Sequence, residues 1–145
     1  KLNLKKATSS EFDKKGLHII GLINEWTKDG KKIKGTDKDL GGTMRLGSYD
    51  AKLKENSMIK RIYKKNLIKE RHRHRYEVNI AYKEKFEKNG MIFSGLSPDG
   101  ELPEIIELKN HPWFIGVQFH PEFKSRPLAP HPLFSSFIKA SKNHK

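Results

Sequence analysis

The sequence of 145 residues has no cysteine, and therefore no disulfide, no thiolate ligand for a metal and no thiol nucleophile. No apolar run approaches the roughly 18 residues that a membrane-spanning helix needs. Residues 1–15 show no signal-peptide pattern. These absences argue against a disulfide-stabilised secreted module, a thiolate zinc site and a membrane protein, and they favour an intracellular chain.

Acidic residues are scarce relative to basic ones: 17 Asp and Glu stand against 30 Lys and Arg, which gives a net charge of +13. Such an excess favours an anionic partner, such as nucleic acid or a nucleotide. Most of the lysines, however, are scattered between acids and asparagines, as on a solvated surface. Whether the lysine-rich segment 28–38 does more than bind water stays open at this point.

The length and the apolar patterns predict one α/β domain or a large part of one. Alternating or continuous apolar runs predict strands at residues 17–23, 43–47, 91–96, 104–108 and 114–117, with an Asp29-Gly30 hairpin, a turn at 98–100 and a polar loop at 7–12. Helical patterns cover residues 58–64, capped by Ser57, residues 80–89, closed by Gly90, and residues 131–141.

The segment Gly116–Phe123 joins an apolar strand to a chemically suggestive triplet. Phe114–Val117 predicts a buried strand, which places His120-Pro121-Glu122 at its carboxyl end, where α/β sheets carry their chemistry. Because Pro121 keeps His120 out of the helical region, an extended backbone is expected to set Glu122 beside His120. A carboxylate there stabilises the imidazolium, as a general base requires. The alternative is a plain surface turn.

A base of this kind serves a nucleophile, and the residues show none. The chain has no thiol, and no serine lies in a Gly-x-Ser-x-Gly elbow. From the sequence pattern alone, His120 and Glu122 are therefore a base and its orienting acid with nothing to activate.

The run Arg71–Tyr76 is the second concentration of functional side chains. In an extended conformation its three arginines share one face, and His72, His74 and Tyr76 share the other. Three interpretations are open: a metal site begun by the two histidines, a ridge that binds phosphate or nucleic acid, and an arginine that clamps a substrate carboxylate. Metal binding is the least favoured, because no ligand set is completed nearby and the arginines oppose a dication. Composition does not choose between the other two.

The sequence resembles the C-terminal glutamine amidotransferase domain of the CTP synthases over nearly its whole length. Gly116–Phe123 is similar to the His-x-Glu segment of class I, triad-type amidotransferases in general. Three further segments resemble the CTP synthases in particular: Gly41–Gly47 (GGTMRLG), Glu70–Asn79 (ERHRHRYEVN), and His131–Phe134 with Phe137–Ala140.

The resemblance implies a class I glutamine amidotransferase-like α/β fold, with a mostly parallel central sheet flanked by helices and a small antiparallel element. It implies that His120 is the general base of a Cys-His-Glu triad and that Glu122 orients it. It also implies that Glu11 holds the α-amino group of glutamine and that Arg75 holds the α-carboxylate. No metal site is implied. Ser10 stands where the family usually has threonine.

By the same resemblance, residues 1–145 are the C-terminal part of the amidotransferase domain, without its nucleophile-bearing part and without the N-terminal synthetase domain. The full enzyme is expected to be a cytoplasmic homotetramer that hydrolyses L-glutamine and uses the ammonia for ATP-dependent amination of UTP to CTP. ATP, Mg²⁺ and the activator GTP belong to that enzyme, and no cofactor is expected in this fragment, which should be inactive alone. No membrane or nucleic-acid partner is expected.

Two alternatives to this function stay open. A basic nucleic-acid-binding module would account for the net charge and the arginines of the run Arg71–Tyr76. A degenerate amidotransferase-like regulatory domain would account for the missing thiol.

Overall fold

The computed structural model describes residues 2–22 and 44–144. Its strands are β1 (Ala7–Ser9), β2 (Leu17–Leu22), β3 (Arg45–Leu53), β4 (Leu67–His74), β5 (Tyr76–Val78), β6 (Met91–Leu96), β7 (Pro103–Leu108) and β8 (Ile115–Val117). Its helices are α1 (Met58–Tyr63), α2 (Lys83–Lys88) and α3 (Pro132–Asn143), and 3-10 turns cover Ile80–Tyr82 and Pro121–Lys124. The Asp29-Gly30 hairpin, the lysine-rich segment 28–38 and the first three residues of the Gly41–Gly47 segment lie outside the described residues.

Most predicted strands and helices in the described ranges are confirmed, and one of the exceptions lies near the start of the chain. Residues 7–12 were expected to form a polar loop, but Ala7–Ser9 is a strand that pairs with β2 in parallel. The backbone N–H of Ser10 continues this pairing by donating to the carbonyl oxygen of Ile20 at 3.0 Å. Partner strands satisfy the backbone groups of a polar segment as well as those of an apolar one, which is why composition alone misses such a strand.

The described strands form two sheets, with the orders β1-β2-β5 and β4-β3-β6-β7-β8. Only the β1–β2 pair is parallel among the described strands, so the expectation of a mostly parallel sheet is wrong for this part of the chain. Short connections are the reason for two of the antiparallel pairs, β6–β7 and β7–β8. A tight turn at residues 97–100 joins β6 to β7, whereas parallel neighbours need a crossover of about a dozen residues or more. The mixture of sheets and helices remains that of the α/β class.

The strand that leads to His120 lies at one end of the larger sheet. β8 pairs with β7 in the register Ile105 opposite Val117, and it has no second partner among the described strands. Its three residues are half-buried. The expected fully buried central strand is therefore an edge strand in this part of the molecule, although Ile115 and Val117 still pack on the core.

An apolar core lies between the larger sheet and helices α1 and α3. Its buried members come from β3, α1, β4, β7, the segment after β8, and α3: Ala51, Leu53, Ile59, Ile68, Ile105, Phe119 and Leu133. Strand β4 alternates between exposed and inward-facing positions, as the two-residue period of an extended strand requires. Two of its inward positions, however, hold Glu70 and His72 rather than apolar residues.

The helices are fixed to the sheet by polar caps. Ser57 accepts a hydrogen bond from the backbone N–H of Lys60 at 3.2 Å, as predicted. The buried carboxylate of Glu107 on β7 accepts from the first two N–H groups of α1, at 2.9 and 2.8 Å. His131 caps α3 through Nδ1 and lies 3.2 Å from Glu70 through Nε2. No helix in the described ranges has the length and apolar character to cross a membrane.

Candidate active site

His120 and Glu122 are in direct contact. Nδ1 of His120 lies 2.7 Å from Oε1 of Glu122, a distance typical of a charge-assisted hydrogen bond. The carboxylate accepts, so Nδ1 carries a proton, and in the neutral imidazole Nε2 therefore has the lone pair. The pKa of Glu122 is held below its usual value, chiefly by its own backbone N–H and then by His120. The pair therefore has the tautomer that a general base needs.

The backbone reaches this contact by a route that differs from the expected one. His120 is extended, with φ of -110° and ψ of 93°, but Pro121–Lys124 is a 3-10 turn rather than a continued strand. The fixed φ of proline suits the first position of such a turn. The turn brings the Glu122 side chain back toward the imidazole, and it stacks the Phe123 ring on His120 with 4.8 Å between ring centroids.

The 3-10 turn is anchored to β4. The ammonium group of Lys124 donates to the carbonyl oxygen of Lys69 at 2.6 Å and lies 3.3 Å from a carboxylate oxygen of Glu70. Glu70 is buried and also accepts from the Tyr63 hydroxyl at 3.0 Å. Burial raises the pKa of Glu70, but contacts led by His131 outweigh it, so the net shift is downward and the carboxylate stays charged.

Arg75 occupies the corner where the chain passes from one sheet to the other. It is the one residue between β4, in the larger sheet, and β5, in the smaller sheet. Its Nη1 is buried and has no hydrogen-bond partner among the described residues. A buried guanidinium nitrogen without a partner is costly, so a native one calls for an acceptor supplied by something else.

Glu11 leaves the same end of the smaller sheet as Arg75. β1 runs parallel to β2, so Glu11 follows the end of β1 beside the carboxyl end of β2. β5 is antiparallel to β2 and begins opposite Leu22, so Arg75 precedes it at that end as well. The Glu11 side chain is exposed, and the neighbouring Ser10 hydroxyl is buried without a partner in the described part of the chain.

The alternation predicted for the run Arg71–Tyr76 is confirmed within β4. Arg71 and Arg73 are exposed, whereas His72 is buried and His74 half-buried on the other face. Nδ1 of His72 lies 2.8 Å from Nε2 of His74, and Nδ1 of His74 lies 3.1 Å from the carbonyl oxygen of Tyr76. The carbonyl oxygen of Tyr76 can only accept, so Nδ1 of His74 carries the proton and Nε2 of His74 accepts from Nδ1–H of His72. Residues 2–22 and 44–144 contain no group of three or more potential metal ligands.

A buried ionic cluster links the two sheets, and the sequence patterns did not predict it. Arg45 on β3 lies 3.2 Å from Glu77 on β5 and 2.7 Å from Glu104 on β7, and all three residues are almost fully buried. The sequence signal for this cluster was a charged residue within each of the partly apolar strands β3, β5 and β7. Such residues are rarely buried unless they are paired, so their pairing in three dimensions was the missing information.

One guanidinium serves two buried carboxylates in this cluster, so one negative charge is left uncompensated. Burial raises the pKa of Glu77 to about 7, against the opposing effect of Arg45. Burial also raises the pKa of Glu104. Burial alone lowers the pKa of Arg45, but the two carboxylates outweigh it and the net shift is upward. Gln118, two residues before His120, donates its side-chain N–H to Glu77 at 3.0 Å.

A groove with a volume of about 550 Å³ lies elsewhere, between residues 2–8, β2 and α2. Its lining residues include Leu4, Ile20 and Phe86, but none of Glu11, Arg75, His120 and Glu122. The candidate site is therefore an open edge of the described chain and not this groove.

Comparisons with known proteins identify the family of the chain. The family Glutamine amidotransferase class-I matches residues 16–140. The chain is 90% identical over 144 residues to the CTP synthase of Pelagibacter ubique (strain HTCC1062), covering 99% of this chain and 27% of that protein. It is 61% identical over 139 residues to the CTP synthase of Hyphomonas neptunium (strain ATCC 15444), covering 95% of this chain and 26% of that protein. It thus spans about a quarter of the length of these relatives.

A solved structure supports the fold. The Trypanosoma brucei CTPS glutaminase domain, described with bound acivicin, superposes with a TM-score of 0.81 at 34% identity, over 99% of this chain and 53% of that one. A family match over most of the residues, highly identical CTP synthases and a shared fold all point the same way. The chain therefore belongs to the class I glutamine amidotransferase family and corresponds to part of the glutaminase domain of the CTP synthases.

Proposed function

We propose that this chain supplies the general base, its orienting acid and part of the substrate site for glutamine hydrolysis. The observation that carries the proposal is the 2.7 Å contact between His120 Nδ1 and Glu122 Oε1. In the neutral imidazole this contact places the proton on Nδ1 and the lone pair on Nε2, at the end of a strand held to the sheet on one side. A thiol nucleophile is not part of these 145 residues, so it must come from other polypeptide.

The chemistry follows from that tautomer. His120 Nε2 takes the proton of the thiol, and the thiolate attacks the side-chain amide carbon of glutamine. His120 then returns the proton to the departing nitrogen, which leaves as ammonia while a γ-glutamyl thioester remains. Nε2 of His120 next activates the water that hydrolyses the thioester. Glu122 stabilises the imidazolium that forms in each step.

The α-amino and α-carboxylate groups of glutamine need one group of opposite charge each. Arg75 meets the requirement for the carboxylate, because its buried Nη1 has no acceptor in the described part of the chain. A guanidinium also matches the planar carboxylate in two parallel hydrogen bonds. Glu11, at the same end of the smaller sheet, is the proposed partner of the ammonium group.

We further propose that the whole protein is a cytoplasmic CTP synthase. In it, the ammonia aminates UTP in an ATP-dependent reaction that uses Mg²⁺, with GTP as activator. We assign the ATP and UTP sites to a synthetase domain outside this chain, and a homotetramer to the assembled enzyme. The support is the high identity to proteins named CTP synthase, although this chain covers only about a quarter of their length.

The test uses the complete enzyme and two nitrogen sources. His120→Ala should abolish CTP formation from glutamine, while CTP formation from free ammonia stays close to that of the wild type. The 145-residue chain alone should release no ammonia from glutamine above background. An equal loss with both nitrogen sources would contradict the role of His120. Tight, steeply salt-dependent binding of oligonucleotides would favour a nucleic-acid module instead.

A further inference from the structure

A side-chain contact joins the two halves of the proposed site. Arg75 belongs to the smaller sheet through β5, and His120 follows the edge strand of the larger sheet. Glu77 lies two residues after Arg75, and Gln118 lies two residues before His120. The amide of Gln118 donates to Oε2 of Glu77 at 3.0 Å, and this bond spans the two sheets.

Glu77 is held firmly enough to serve as the fixed side of this contact. It is fully buried, with 0% of its surface exposed. Its other carboxylate oxygen, Oε1, lies 3.2 Å from Arg45 on β3 and 3.5 Å from Nδ1 of His74 on β4. Side chains from β3, from β4 and from the segment after β8 thus all contact the carboxylate of Glu77, which belongs to the smaller sheet.

The segment that carries Gln118 follows an edge strand of the larger sheet. β8 has a neighbour on one side only in the described chain, and its residues are half-buried. The backbone N–H of Gln118 donates to the carbonyl oxygen of Glu104 at 3.0 Å, which extends the β7–β8 pairing by one residue. The segment is also held by the buried Phe119 and by the backbone N–H of His120, which donates to the carbonyl oxygen of Arg71 at 2.8 Å. The side-chain contact to Glu77 adds a link to β5, the strand that Arg75 precedes.

We propose that Glu77 and Gln118 are positioning residues that set the separation between the glutamine-binding Arg75 and the base His120. Neither touches the reacting atoms. The inference rests on the proposed glutaminase function and adds two residues to it. A shift of the order of 1 Å between a bound substrate and its base lowers turnover strongly, although the binding groups themselves remain. The effect is therefore expected in kcat for glutamine and not in KM.

The experiment compares four variants of the complete enzyme. Gln118→Met keeps the length of the side chain and removes the hydrogen bond. Gln118→Glu sets a second carboxylate against Glu77. The double variant Glu77→Gln with Gln118→Glu reverses donor and acceptor and restores the bond. Ser136→Ala is the matched control. It removes the 2.8 Å hydrogen bond that the Trp113 indole donates to Ser136, and Trp113 precedes β8, at the opposite end of the strand from His120.

We expect Gln118→Met and Gln118→Glu to lower kcat with glutamine by about tenfold or more, with KM within about threefold of the wild type. The rate with free ammonia should stay unchanged, and the double variant should regain most of the loss. Ser136→Ala should change neither kinetic constant. A merely structural role would lower both rates together and would not be relieved by exchanging the two groups.

Three results would overturn the inference. They are an unchanged glutamine kcat in Gln118→Met, an equal loss with ammonia, and a double variant no better than Gln118→Glu alone. His120→Ala, assayed in parallel, separates this failure from failure of the proposed function. If His120→Ala loses glutamine activity while Gln118→Met keeps it, only the positioning role is wrong. If His120→Ala keeps it, the glutaminase proposal is wrong as well.

Discussion

The backbone N–H of His120 donates a 2.8 Å hydrogen bond to the carbonyl oxygen of Arg71. This bond ties the proposed base to β4, four residues before the proposed substrate clamp Arg75. It matters because β8, which leads to His120, has a partner on one side only among the described strands. The contact across to β4 compensates for that missing partner, so an edge strand can still present a fixed base.

The charge of Glu122, and not only its hydrogen bond, should contribute to turnover. Glu122→Gln keeps an oxygen that accepts from Nδ1 of His120 but removes the negative charge that stabilises the imidazolium. We expect kcat with glutamine to fall by about tenfold to a hundredfold, and the ammonia-dependent rate to stay unchanged. Steady-state assays of the complete enzyme measure both. Glu101→Gln, which neutralises an exposed acid beside the 97–100 turn, is the control and should behave as the wild type.

Arg75 should act on substrate binding. Arg75→Lys keeps the charge but loses the two parallel hydrogen bonds to a carboxylate, so KM for glutamine should rise by about tenfold or more. The conservative exchange Arg73→Lys, on the exposed face of β4 two residues earlier, serves as the control. The assignment fails if both substitutions leave KM for glutamine unchanged, or if they raise it equally.

Arg45 should be essential to the stability of the two-sheet arrangement. Arg45→Met leaves the buried carboxylates of Glu77 and Glu104 without their cation, and we expect a loss of about 3–5 kcal/mol in the free energy of unfolding. Adding Glu104→Gln to Arg45→Met should recover part of this loss, because one of the unpaired charges is gone. Urea denaturation measures both variants. An unaltered denaturation midpoint in Arg45→Met would show that the cluster contributes nothing.

Two histidines should make the fold sensitive to acid. Burial lowers the pKa of His72 to about 3 and that of His74 to about 4. In the unfolded chain both titrate near 6.5, so below that pH the unfolded state binds more protons and stability falls as the pH drops. At pH 5 each histidine accounts for about 2 kcal/mol relative to pH 7. Glu77, whose pKa is raised to about 7, opposes this between about pH 4.5 and 7.

The contribution of His72 can be isolated by difference. His72→Asn removes one titrating group, so the loss of stability between pH 7 and pH 5 should be about 2 kcal/mol smaller than in the wild type, whatever the absolute stability of the variant. Denaturant midpoints at the two pH values give this difference. Equal pH dependence in both proteins would mean that His72 titrates normally when folded.

Local sequence signals were reliable where the structure they predict is local. The alternation in the run Arg71–Tyr76 predicted that its arginines and its histidines lie on opposite faces of an extended segment, and Ser57 predicted the start of α1 through one short-range hydrogen bond. The spacing of His120 and Glu122 predicted their contact, although the connecting backbone is a 3-10 turn and not an extended strand. Only neighbours in sequence take part in each of these features.

Long-range pairing lies beyond such signals. The inference of a central buried strand at 114–117 depended on apolar content, which does not distinguish an edge strand with a half-buried face from an interior one. The inference of a mostly parallel sheet came from the family as a whole, and the short connections in this part of the chain make antiparallel neighbours instead.

The sequence by itself determined that this chain carries an imidazole with its own carboxylate, has no thiol to serve, and resembles one family of amidotransferases in four separate segments. Only the tertiary structure decided that Arg45 lies between Glu77 and Glu104 and that Gln118 bonds to Glu77. The physical reason is that a charge is buried only when its partner is present. Partners 32 to 59 residues apart along the chain come together only through the pairing of whole strands.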